Sequence, residues 1–371
     1  MVRRRCRGKK ASMFAPLALT QALPFLPLAQ GDIDYGVDER ADPGLIGRTL
    51  REEGTKVVLV RGGLLGVPHG HGRPGRQGRM RLATLPGAYV ERELGAHPEV
   101  TAIYLGSYAT PRTERVVALD LSRVGRQSLE QAVDESAIAA DDAFDATSGP
   151  ATGRAPGSLF DSAVDRFDWV DLRAFVPHAS AREVGQATTM VSLANWYAYQ
   201  AHCPHCGAPT RSAMSGWAQR CTNDDDGNPL LFPRVEPAVI MAVVDSQDRL
   251  LLQHNRSWKN PVFHSVSAGF VEAGENLEHA CRRETMEETG IRVGEVRYLG
   301  SQPWPYRISL MMAFKGQALD TDIHVDGQEV VSAQWVSRDE LTGMLAAGEL
   351  ELPGRATIAR YMIEEWYGRE L

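Results

Sequence analysis

The sequence is poor in cysteine. Five among 371 residues is an odd number, with one Cys-x-x-Cys pair, which points away from a disulfide framework and toward metal ligation or reduced thiols. Nor is there a surplus of positive charge: 40 Lys and Arg stand against 47 Asp and Glu, which argues against a generalised nucleic-acid surface. An unbroken apolar run of membrane-spanning length is also missing, because the apolar stretch over 14–29 is interrupted by Pro16, Pro24 and Pro27. Together with Arg3, Arg4, Arg5, Arg7, Lys9 and Lys10 that stretch superficially resembles a secretory signal, a reading the prolines weaken. We expect Met13 to be the initiator, 1–27 to be a leader outside the fold, and the protein to be cytoplasmic. With 371 residues at 43% hydrophobic content, two domains with cores of their own are expected.

The stretch most charged with chemistry runs over 268–291, AGFVEAGENLEHACRRETMEETGI. Its second half predicts a helix over 276–289, capped by Asn276 and stopped by Gly290. At 3.6 residues per turn, Leu277, Ala280, Cys281, Glu284, Glu287, Glu288 and Ile291 share one stripe, apolar at both ends and acidic in the middle. Three carboxylates spaced this way repel one another unless a cation lies between them. Hard oxygen ligands of this kind suit Mg²⁺ or Mn²⁺ bridging to substrate phosphates.

Gly269, Glu275 and the run Arg283-Glu284-Thr285-Met286-Glu287-Glu288-Thr289-Gly290-Ile291 resemble the Nudix box, with Thr285 where that family prefers an aliphatic residue. Downstream, Ser301-Gln302-Pro303-Trp304-Pro305-Tyr306-Arg307-Ile308-Ser309 is similar to the SQPWPFPxS signature of the NADH pyrophosphatase (NAD-capped RNA hydrolase) branch, with Tyr306 for Phe and Arg307 for the second Pro. The resemblance implies a homodimeric NAD(H) diphosphatase that splits NADH or NAD⁺ into NMN(H) and AMP, and the removal of NAD caps from RNA. It implies cation ligands at Glu284, Glu287, Glu288, Glu329 and the Ala268 carbonyl, and a contribution from the Ala359 backbone to the base pocket. Glu287 or Glu288 serves as base for the attacking water, and Arg283 orients a glutamate such as Glu275. Trp304 and Tyr306, stiffened by Pro303 and Pro305, read as an aromatic wall for a planar base. Phe232, Gln302, Ile308 and Ser309 join that wall, and Arg307 is a cation suited to a phosphate. The alternatives are a Nudix hydrolase acting on ADP-ribose or another nucleoside diphosphate derivative, and a non-catalytic nucleic-acid-binding module.

The predicted domains are an α+β scaffold over 28–200 that the resemblance makes a dimerisation domain, a zinc-ribbon-like segment over 201–233, and an α/β/α sandwich with a mixed sheet over 234–371. Cys203-Pro204-His205-Cys206-Gly207 reads as half of a structural Zn²⁺ knuckle. Cys221 begins the second half, where Asp224 takes the place of a fourth cysteine and His202 or His205 are the other choices. The stretch His69-Gly70-His71-Gly72 reads as a glycine turn with solvated histidines, and 139–158 as a polar surface insertion.

Overall fold

A computed structural model describes residues 26–29, 31–72, 78–109, 113–124, 158–306 and 308–371. Residues 1–25 of the expected leader, the expected insertion up to residue 157 and Arg307 lie outside the described residues, whereas Leu26, expected within that leader, is buried in an apolar core. The chain divides into two compact units, one made of Pro27–Glu236 with Pro303–Leu310, the other chiefly of Pro237–Gln302 and Met311–Leu371.

The first unit runs α1 (Leu45–Arg51), β1 (Lys56–Arg61), β2 (Leu64–Val67), β3 (Thr84–Pro86), α2 (Gly87–Leu94), β4 (Thr101–Tyr108), β5 (Glu114–Asp120), α3 (Leu159–Arg166), β6 (Asp168–Val170), α4 (Leu172–Phe175) and α5 (Ala181–Tyr199). Its sheet has the order β4-β5-β1-β2-β6, with β3 also on β1. Parallel β1–β5 pairing among antiparallel neighbours makes it mixed. Leu45, Leu50, Val90, Phe160 and Ala163 from α1, α2 and α3 close over Leu59, Tyr104, Val117 and Leu119 of the strands. In the His-Gly-His-Gly stretch the loop grips a carboxylate: the Gly70 and Gly72 amides donate to Asp168 Oδ2 at 2.8 and 3.0 Å, and His69 Nδ1 lies 3.0 Å from Oδ1. His69 is exposed, as the sequence suggested, whereas His71 Nδ1 is buried. A three-stranded sheet of β7 (Thr210–Ala213), β8 (Ala218–Cys221) and β9 (Leu230–Leu231) follows.

The second unit is built on β10 (Glu236–Val244), β11 (Leu250–Asn255), β12 (Ser267–Phe270), α6 (Leu277–Thr289), β13 (Val293–Trp304), β14 (Ser309–Ala318), β15 (Val330–Val336), α7 (Arg338–Ala347) and α8 (Ile358–Tyr367). Its strands run in the order β13-β14-β10-β11-β15, and β12 also pairs with β10. Side chains on a strand alternate between faces, and the two faces here carry different helices. Ile240, Ala242, Val244, Leu250 and Leu252 pack on Leu341 of α7 and Ile358, Met362, Ile363 and Trp366 of α8. Val239, Met241, Val243 and Leu251 pack on Ala280 and Cys281 of α6. The result is a helix–sheet–helix sandwich that presents the inner face of α6 to the strands. Strand β13 runs on through Pro303 and Trp304, which an edge position permits because a proline there leaves no central ladder bond unmade.

Helix α6 starts and stops where its sequence says. The Asn276 side chain accepts from the His279 amide at 2.8 Å, and Gly290 takes φ 72° with its N–H on the Met286 carbonyl. A Cβ at Gly290 would lie 2.9 Å from that of His324. Gly290→Ala is therefore expected to lower the unfolding free energy by about 1–3 kcal/mol, measured by urea denaturation, with no change in the helix content of the folded protein.

Candidate active site

The inner face of α6 is not the stripe drawn from the sequence. Thr285, Glu288 and Thr289 are buried with Ala280 and Cys281, Glu284 is half-buried, and the Glu287 side chain is 60% exposed. Residues 284 and 288 lie about 40° apart around a helix, whereas 287 is about 100° from 288, so only the first two aim inward together. Glu287 is a flank residue, its Oε2 accepting from Arg283 Nη1 at 2.9 Å. The unusual Thr285 causes no buried polar defect, because its hydroxyl donates to the Cys281 carbonyl at 3.0 Å.

Arg283 is spent on orientation. Its Nε and Nη2 lie 2.9 and 2.8 Å from the two oxygens of Glu275, Nη2 also donates to the Phe270 carbonyl, and Nη1 reaches Glu284 Oε1 at 2.9 Å. This ties the loop before α6 to the helix and places Glu284 against the backbone of β12. Gly269 makes that approach possible, since a Cβ there would stand 2.0 Å from the Glu284 carboxyl carbon. The bidentate guanidinium holds the Glu275 carboxyl far below its ordinary range, at about 2, against the opposing effect of its burial.

Glu288 is 5% exposed. Its Oε2 accepts from Gln253 Nε2 of β11 at 2.9 Å and from the Ser267 hydroxyl of β12. Burial pushes its carboxyl up to about 7, and burial also raises that of Glu284 against the pull of Arg283. Glu329 is near enough to raise both electrostatically. The loop carrying Glu329 is fastened to the end of α6: the His324 amide donates to the Thr289 carbonyl at 2.8 Å and the Asp326 amide to the Glu288 carbonyl at 3.3 Å. Ala268, paired with Ile240, sits on β12 between Ser267 and Gly269. A half-buried Glu284 packed on a glycine backbone, a buried Glu288 and an exposed Glu329 near both are acids a hard divalent cation would stabilise, and together with the Ala268 carbonyl they could hold one. Neither Gln253 nor Ser267 was singled out from the sequence, since no local pattern sets them apart from the polar residues beside them in β11 and before β12.

The segment after β13 departs from the expected wall. Gln302 is fully buried and both ends of its amide are engaged, Oε1 accepting from the Ile358 amide at 2.8 Å and Nε2 donating to the Ala356 carbonyl at 3.2 Å. It shapes the start of α8 instead of offering a free group. The Ala359 side chain belongs to the core, which leaves its first-turn amide, one that has no helical partner. Trp304 and Tyr306 sit 5.0 Å apart with rings inclined at 60°. The Tyr306 hydroxyl, which a phenylalanine would lack, donates to Asp171 Oδ1 at 3.0 Å and accepts from the Arg173 amide at 3.1 Å. Asn195 of α5 donates to the Pro305 carbonyl at 3.0 Å. Pro303 is half-buried and Ser309 buried, while Phe232 is 61% exposed. Ile308 holds φ 56°, a strained value for a β-branched residue, and its carbonyl accepts from the Glu236 amide at 3.0 Å.

A second cluster lies in the first unit. The ligand atoms of Cys203, Cys206, Cys221 and Asp226 all fall within 4.8 Å of one another, the one such group of three or more among the described residues. The fourth corner is thus Asp226 and not Asp224. Residues 224–226 form a 3₁₀ turn capped by Asn223, in which successive side chains point about 120° apart, so only one of three aspartates can face the thiols. Asp226 Oδ2 accepts from the Cys203 thiol at 3.3 Å. His205 is a backing group with Nδ1 on Asp226 Oδ1, and it holds that carboxyl below its ordinary range. Three thiols and a carboxylate at this spacing fit a four-coordinate metal ion.

Because the Glu275 carboxyl is depressed in the folded state, its contribution to stability is complete above pH about 4.5 and is lost as the pH falls toward about 2. Thermal melts of wild type and Glu275→Gln should differ by a constant amount between pH 7 and 5 and converge on further acidification. A gap that widens in acid would contradict the assignment.

Residues 234–360 match the NUDIX domain family. The chain is 40% identical over 209 residues to the NAD-capped RNA hydrolase NudC of Mycobacterium bovis (strain BCG / Pasteur 1173P2) and, equally, to that of Mycobacterium tuberculosis (strain H37Rv), covering 53% of this chain and 64% of each relative. It is 41% identical over 175 residues to the protein of that name from Klebsiella pneumoniae (strain 342), covering 47% of this chain and 63% of the relative. The matched region thus spans a little under two thirds of these relatives' length. Among the described residues no helix is long and apolar enough to cross a membrane. Residues 234–360, which hold the capped acidic helix and its glycine-backed Glu284, are thus similar to the NUDIX domain family.

Proposed function

We propose that the chain hydrolyses the central pyrophosphate of NADH or NAD⁺ to NMN(H) and AMP, and that it also acts on NAD at the 5′ end of RNA. The observation that carries this reading is the placement of Glu284 and Glu288 inward on one helix face, with Glu284 against the Gly269 backbone. The signature-like run around Trp304 and the relatives named NAD-capped RNA hydrolase support the choice of substrate. Glu284, Glu288, Glu329 and the Ala268 carbonyl would hold Mg²⁺ or Mn²⁺, which when bound would supply charge neutralisation on the two phosphates and a more acidic water. With Glu288 engaged as a holder, Glu287, exposed on the flank of α6, would take the proton of an attacking water as the water oxygen bonds to phosphorus and the bridging P–O bond breaks. Arg283 and Glu275 fix the helix and the turn before it. The residues at 304 and 306 offer aromatic surface to a planar base.

The second metal is a structural Zn²⁺ on Cys203, Cys206, Cys221 and Asp226, with all four positions filled by protein. The clustered thiols fit a reducing, cytoplasmic setting, and we extend the family's homodimeric state to this chain.

Turnover should rank NADH, NAD⁺ or NAD-capped RNA above ADP-ribose, and Glu288→Gln should lower kcat by about 10²–10⁴-fold in a folded protein. A large preference for ADP-ribose would reject the substrate assignment, and unaltered kcat would reject the site. Elemental analysis of freshly purified protein should find one Zn²⁺ per chain, lost in Cys203→Ser and weakened in Asp226→Ala. Zinc-free wild type would rule the structural ion out.

A further inference from the structure

Two strand residues outside the Nudix helix converge on one oxygen of Glu288. Gln253 has its backbone locked, its N–H on the Ser265 carbonyl at 2.8 Å and its carbonyl accepting from the Ser265 amide at 2.9 Å, so the side chain leaves β11 from a fixed point. From there Nε2 reaches Glu288 Oε2 at 2.9 Å, and the Ser267 hydroxyl of β12 donates to that same oxygen. Oε1 of Glu288 has no hydrogen-bond donor among the described residues. A carboxylate offers lone pairs on both oxygens, so occupying one from two directions turns the other outward and fixes its plane.

The environment makes a purely structural role a poor account of Gln253. It is 4% exposed, and its own Oε1 is buried without a hydrogen-bond partner. An orphaned buried acceptor costs stability that an apolar side chain of the same size would not incur. The amide is therefore oriented by Glu288 and not by its own satisfaction.

Building on the cation site proposed above, we propose that Gln253 and Ser267 are positioning residues which, by jointly occupying Oε2 of Glu288, present its Oε1 to the divalent cation. The two residues act as one device, because both bonds end on a single atom. Neither touches substrate, so their loss acts on cation affinity and on turnover and leaves the binding of the dinucleotide alone. Partners that orient a ligating side chain typically change metal affinity or activity 10–100-fold when removed.

The test uses the full-length protein and Mn²⁺ as probe, with free Mn²⁺ followed by electron paramagnetic resonance. Gln253→Met keeps the volume and removes the donor; Ser267→Ala is a smaller change that serves if the first variant fails to fold. Each should weaken Mn²⁺ binding and raise the Mn²⁺ concentration for half-maximal activity by about 10–100-fold, with KM for NADH at saturating cation within about twofold of wild type. The double variant should fall short of the product of the single effects. Cation binding within twofold of wild type in the folded variants overturns the proposal, as does a shift confined to KM. Failure of the underlying cation site shows differently: wild type and Glu284→Gln would then bind Mn²⁺ alike, which would also remove the ground for this inference.

Discussion

Of the two carboxylates on the inner face of α6, Glu284 meets one guanidinium, most of which is committed to Glu275, and Glu288 meets only the neutral donors of Gln253 and Ser267. This imbalance explains more of the second unit than any apolar contact does. Gly269 has to be glycine because Glu284 lies where a side chain would begin. Gln253 and Ser267 are buried polar residues, and they supply Glu288 with donors where water is excluded. The loop bearing Glu329 is stitched to the last turn of α6, which keeps a third acid within electrostatic reach. Residual negative charge held in a dry, rigid frame is stabilised by a cation.

The apolar sandwich serves this arrangement. Alternation along β10 sends Val239, Met241 and Val243 to α6 and Ile240, Ala242 and Val244 to α7 and α8, so the sheet is held from both sides and α6 cannot roll. Without that restraint, α6 could rotate its repelling carboxylates into solvent.

How far these features were legible depends on how local their causes are. The ends of α6 were readable because Asn276 and Gly290 act within one turn of the chain. The facing of Glu287 was misjudged, because a stripe drawn on spacing alone is wider than the contact the strands make with the helix. Asp224 was chosen by the Cys-x-x-Cys interval, yet a 3₁₀ turn delivered Asp226, and no spacing rule anticipates which of three successive aspartates rotates inward. Gln302 lay within a motif and was read as a contact for substrate, whereas both ends of its amide bond the backbone at the start of α8. Gln253 and Ser267 carried no local signal, because their purpose exists only once β11, β12 and α6 come together.

The most direct test is where a cation goes. A crystal of the protein soaked in Mn²⁺, measured at the manganese absorption edge, should show anomalous density bounded by Glu284, Glu288, Glu329 and the Ala268 carbonyl. Density elsewhere, with Glu284 and Glu288 left bare in the same crystal, would contradict the account.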